Sequence, residues 1–168
     1  MRYDKSGAQV LIDFAHHAVH HGFLFTVSDF DTDIDIAAPK YWLFRTPNTN
    51  KRIHIIFDVG VSGGVQVDLY ESPTITADGT AITPFNNDFN RNDVSVLSVF
   101  KDPTVTSDGT LKTSTRIGVS GPGNSDKVGG NLRPGSEYIL KQNTNYILKI
   151  TPDANDTKAT MIAEYYEV

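Results

Sequence analysis

Apolar and polar residues alternate with a period of two along much of the chain, most clearly in Val65-Gln66-Val67-Asp68-Leu69-Tyr70-Glu71. That period puts successive side chains on opposite faces of a strand, one toward a core and one toward water. Arg52–Val59 is denser in β-branched and aromatic residues, the composition of a buried strand. Val61-Ser62-Gly63-Gly64 joins these two runs and predicts a hairpin. Glu137–Leu140 and Tyr146–Ile150 flank Lys141–Asn145 and predict a second one. Val94–Phe100 and Thr160–Val168 read as further strands. About ten short strands separated by turn signals predict an all-β fold, a β-sandwich of jelly-roll type with long Gly/Asn-rich loops.

One segment fits a helical period. In Ala8–His21, Val10, Leu11, Phe14, Ala18 and His21 recur at spacings of three and four, and Gly22 suits a C-cap. The same residues also alternate, and the extended reading is preferred. Ser72-Pro73-Thr74-Ile75-Thr76-Ala77-Asp78-Gly79-Thr80 recurs as Asp102-Pro103-Thr104-Val105-Thr106-Ser107-Asp108-Gly109-Thr110. Proline lacks a ladder donor and belongs at a strand boundary, and Asp-Gly supplies a tight turn. The repeat therefore predicts two equivalent loops of one sheet system. Gly118–Gly135 and Thr83–Asp93 are the long loops, the second pinned by Phe85 and Phe89. Residues 1–9 lack alternation and are expected to form an arm; residues 10–168 form a single domain.

Composition narrows the function classes. The 168 residues suffice for one core. The chain has no Cys, which excludes disulfides and thiolate zinc sites. A net charge of -5 with scattered Lys and Arg gives no footprint for nucleic acid. Met1–Lys5 has no apolar run, so neither a signal peptide nor a membrane span is expected.

Candidate chemistry is thin. His16, His17, His20 and His21 form two i,i+4 pairs on a helix. No third ligand or His-Glu-x-x-His pattern accompanies them, so an interface role is preferred and no metal is expected. Asp29, Asp31, Asp33 and Asp35 alternate, but Ile34 and Lys40 stand where a calcium loop needs Gly and Glu. The expectation is an acidic face open to solvent or to a cationic partner. Gly60-Val61-Ser62-Gly63-Gly64 matches a nucleophile-elbow string, but a strand follows and no His lies after His54. Trp42 is assigned to the core, and of Tyr165 and Tyr166 one is assigned to the core and one to the surface.

Several segments together resemble small structural proteins of tailed bacteriophages, the head decoration or cement proteins. They are His20–Phe25, Leu43–Thr49, Leu69–Thr74, Asn86–Asn92, Phe100–Val105, Gly129-Gly130, Glu137–Leu140 and Glu164–Glu167. The resemblance implies a non-enzymatic virion protein, made in the host cytoplasm, without cofactor. It implies a homotrimer on the exterior of the capsid, with the major capsid protein as partner. The contact candidates are Arg2, Tyr3, Lys5, Asn86, Asn87, Phe89, Arg91, Asn124, Asp126 and Lys127. The rival readings are a tail-associated receptor- or carbohydrate-binding jelly-roll module and a cupin-like metalloenzyme built on the His cluster.

Overall fold

The computed structural model describes residues 14–118, 128–131 and 137–168. Among these residues one short helix, α1 (Phe14–His20), precedes fourteen strands. They are β1 (Leu24–Ile34), β2 (Lys40–Arg45), β3 (Ile53–Val61), β4 (Val65–Glu71), β5 (Thr74–Ala77), β6 (Thr80–Ile82) and β7 (Phe85–Asn86). After them come β8 (Ser98–Lys101), β9 (Thr104–Ser107), β10 (Thr110–Ile117), β11 (Val128–Asn131), β12 (Tyr138–Leu140), β13 (Asn145–Pro152) and β14 (Thr157–Glu167). The all-β expectation holds. Two six-stranded antiparallel sheets make a sandwich-like pair. The first runs β11-β3-β14-β1-β7, with β12 also on β3, and the second runs β10-β4-β13-β2-β8-β6.

Period two explains the core. From the first sheet Phe25, Val27, Ile55, Phe57, Val59, Met161, Ala163 and Tyr165 point inward. From the second come Trp42, Phe44, Val65, Val67, Leu69, Leu148 and Ile150. Phe44 and Phe57 meet across the sheets with ring centroids 5.0 Å apart, edge to face. Trp42 and Tyr165 are fully buried, as the sequence predicts, and Tyr166 faces outward.

Both predicted hairpins are wrong. β3 pairs with β14, β11 and β12, whereas β4 pairs with β10 and β13. Gly63-Gly64 thus carries the chain from one sheet to the other. Lys141–Asn145 does the same, because β12 lies on β3 and β13 lies between β2 and β4. Of Val94–Phe100, only the stretch from Ser98 is a strand. Residues 95–96 are instead tied to the buried Glu167 carboxylate, which accepts Ser95 Oγ and the Val96 amide, each at 2.8 Å.

The repeat folds into a two-fold arrangement. β6 pairs with β8 and β10 pairs with β4, so each copy's outgoing strand lies beside the other copy's incoming strand. β5 and β9 pair as a separate ribbon, with Ile75 opposite Val105. Thr80↔Lys101 and Thr110↔Glu71 are equivalent contacts under the repeat. The Ser72 amide donates to Asn145 O, and the Asp102 amide donates to Tyr41 O. Arg45 grips Asp78 through two bonds of 2.8 and 2.6 Å, while Lys149 holds Asp108 at 2.7 Å. These ion pairs fasten the ribbon over the outer face of the second sheet. On that face Leu43 and Ile147, directly opposite in register, are 0% exposed.

Candidate partner-binding surface

The N-terminal segment is helical over 14–20, against the extended reading. Its end explains why. Gly22, at φ 72°, donates to Val19 O at 2.9 Å, and Phe23 N donates to Ala18 O at 3.2 Å. This is the Schellman pattern, in which a left-handed glycine closes the last helical carbonyls. Ala18 is buried and anchors the helix, leaving His16, His17, His20 and His21 exposed. A side chain at Gly22 would also collide with Arg91, whose Nε would lie 2.1 Å from the added carbon.

The loop from Thr83 to Asp93 lies against this helix end, and its amides hold it there. Asn86 is buried, donates from Nδ2 to Gly22 O at 2.7 Å and accepts the Asp88 amide at 2.9 Å. Asn87 Oδ1 accepts Thr26 Oγ1 at 2.8 Å. Asp88 takes the Asn90 amide, and Arg91 Nε reaches Asp93 at 2.6 Å. Phe85 and Phe89, expected to pin the loop, instead point outward with 44% and 84% exposure and ring centroids 6.2 Å apart. Of the predicted contact residues, then, Asn86 and Asn87 brace the loop, and Phe89 and Arg91 lie on its surface. Arg2, Tyr3, Lys5, Asn124, Asp126 and Lys127 lie outside the described residues, as does the 1–9 arm.

The aspartate run is not a uniformly solvated face. Asp29 and Asp31 lie on the core-facing side of β1 and meet cations of this same chain. Lys40, 6% exposed, lies 2.7 Å from both Asp31 and Asp102 and 3.9 Å from Asp29. Asp29 also accepts Trp42 Nε1 at 2.8 Å and Lys101 Nζ at 3.3 Å. Burial pulls the Lys40 pKa down, but hydrogen bonds and charge from Asp102 and Asp31 outweigh it and hold the ammonium above its ordinary 10.5. Asp33 and Asp35 extend past this network. With Asp156 they bring three carboxylates within 4.8 Å of one another. Repulsion from Asp35, then desolvation, raises the Asp33 pKa.

Ser62, the serine of the elbow-like string, accepts the Lys158 amide at 2.9 Å in the passage between sheets. His54, stacked on Tyr166 with ring centroids 4.7 Å apart, meets Glu137 Oε1 at 3.0 Å; Tyr166 OH donates to Oε2 of the same carboxylate. The Tyr166 and then the His54 hydrogen bond hold Glu137 below the usual carboxylate range. This trio clamps β12 against β3 and β14. A cleft of about 570 Å³ opens beside the two-fold ribbon, lined among others by Asn48, Ser72, Ser98, Asn143 and Asn145. No sequence signal announced it, because its walls come from four separate stretches of chain. Set against family models, curated proteins and solved structures, the chain finds no match.

Proposed function

We propose that this chain is a structural, non-catalytic virion protein: a decoration protein that sits as a homotrimer on the outside of a phage head and braces its capsid subunits. The sequence resemblance supplies the assembly. The observation that carries the reading is Phe89, 84% exposed on a loop that Asn86 and Asn87 bond to Gly22 and Thr26. An aromatic side chain kept out of the core on a braced loop is the form of an interface anchor: large contact area with little ordering cost on binding. Repetition of that anchor around a symmetric oligomer converts modest single contacts into firm attachment.

Co-sedimentation with undecorated heads tests this, with mass photometry of the free protein for the oligomer. Phe89→Ser is expected to leave fold and oligomer intact and to weaken head binding about tenfold or more, as for a hot-spot residue. Wild-type protein that stays in the supernatant sinks the proposal. Deleting residues 1–9 is expected to weaken binding without unfolding the body; unchanged affinity assigns the contact to the loops.

The cleft favours a second reading, a carbohydrate-binding module. Its volume falls within the roughly 300–1,000 Å³ of small-ligand sites, and its amides and hydroxyls suit a sugar. Saturable binding on a glycan array, abolished by Asn143→Ala, selects this reading over the first.

A further inference from the structure

The two histidine pairs of α1 differ in a way that decides what they can bind. His17 and His21 lie ring against ring, centroids 4.2 Å apart and planes 35° apart, beside Phe23 at 6.2 and 6.0 Å. Their faces meet, and a ring face carries no nitrogen lone pair. His16 and His20 stand nearly perpendicular, at 75°, with Nε2 to Nε2 only 3.1 Å. Both are exposed, and among the described residues neither the core nor another segment covers them.

From this convergence we infer that His16 and His20 form a bidentate site for a divalent first-row transition ion such as Zn²⁺ or Ni²⁺. Imidazole suits these ions, and Zn–N bonds run about 2.0–2.1 Å. Two nitrogens 3.1 Å apart then subtend roughly 95–100° at the ion. That angle falls between the right angle of octahedral or square coordination and the wider tetrahedral one. The two Nε2 atoms lie within hydrogen-bond distance, the tautomer deciding which ring donates. On metal binding the donor ring changes tautomer, its proton passing to Nδ1 through water, so that both rings stay neutral and each offers an Nε2 lone pair to the ion. The remaining coordination positions point into solvent and go to water.

The i,i+4 spacing also couples the site to its helix. An ion that bridges two successive turns stabilises the helical over the extended form of a segment only seven residues long. The cap at Gly22 closes the end of that segment, and the ion would tie its last residue, His20, to His16 one turn earlier.

Isothermal titration of the tag-free full chain with ZnCl₂ and with NiCl₂ tests the inference. The expected result is saturable binding with one ion per chain. His16→Gln and His20→Gln should each weaken it by at least about tenfold. His17→Gln and His21→Gln should leave it within about twofold. Unchanged thermal midpoints across the four variants show that the fold is intact. A midpoint that moves for His16→Gln sends the test to one-dimensional NMR of the wild type, where Zn²⁺ should shift the ring protons of His16 and His20 before those of His17 and His21. Absence of saturable binding at millimolar metal overturns the site. Equal losses from all four variants overturn the assignment to this pair.

Discussion

Lys40 shows what a single residue adds to this fold. Its ammonium is buried among Asp31, Asp102 and Asp29. Removing one partner of a buried charge cluster leaves the others uncompensated and costs about 3–5 kcal/mol when burial is complete. Asp102 is 59% exposed and Asp31 25%, so water screens part of that, and Lys40→Met is expected to cost about 2–4 kcal/mol at pH 7. The pH dependence has a definite sign. Desolvation pushes the Asp31 pKa up, but the Lys40 hydrogen bond, backbone amides and the Lys40 charge together hold it below its ordinary 3.8. A lowered carboxyl contributes stability that is in place above pH 3.8 and is lost as pH falls through the folded value. The raised Lys40 contributes stability that is in place below pH 10.5 and is lost as pH climbs through its folded value. Urea titrations at several pH values check this. The gap between wild type and Lys40→Met should shrink below about pH 4, and a gap that widens in acid refutes the assignment.

At the scale of elements, the strands were legible and their partners were not. Val65–Glu71 and Ile53–Val61 announce themselves by alternation, because burial on one face is written locally. Pairing is not written locally. Gly63-Gly64 serves a passage between sheets as well as a two-residue hairpin, and only the distant β14 and β13 decide between them. The loop at Thr83–Asp93 inverted its expected roles for the same reason. Asparagines read as turn formers found acceptors and donors on β1 and at Gly22, which freed both phenylalanines. The repeat was legible as two equivalent loops, and the structure adds that they interlock. That symmetry can be tested. Gly79 and Gly109 sit at φ 84° and 88°, and an added carbon would lie 2.2 Å from Lys101 O or 2.5 Å from Glu71 O. Gly79→Ala and Gly109→Ala should therefore destabilise by similar amounts, about 2–4 kcal/mol each, from strain plus backbone overlap. Gly63 has no atom within 4 Å of such a carbon and no positive φ, so Gly63→Ala should stay within about 0.5 kcal/mol of wild type. Denaturant midpoints of the three variants are the measurement. A large cost at one ribbon glycine and none at the other would break the equivalence.

Across the whole molecule, the order of strands sets how the chain can fold. Among the described residues no two strands consecutive in sequence pair with each other. The middle of each sheet is supplied last. β14 lies between β3 and β1, and β13 lies between β4 and β2. Until both arrive, β1 and β3 have no ladder between them, and Phe57 and Phe44 face a half-built core. Loop closure must therefore be met before the long-range contacts return any stabilisation, which is the condition for slow folding. Refolding of the full chain is expected on the scale of about milliseconds to seconds, as for other sandwiches dominated by non-local pairing. A chain ending at Asn143 should lack a cooperative transition altogether, since it keeps the outer strands of both sheets and loses both central ones. Stopped-flow fluorescence of the buried Trp42 follows the first case, and urea titration with amide NMR follows the second. Refolding within about 100 microseconds, or a dispersed spectrum from residues 1–143, would mean that a nucleus forms without the C-terminal strands. In either event the sheet centre would not be what holds the sandwich together.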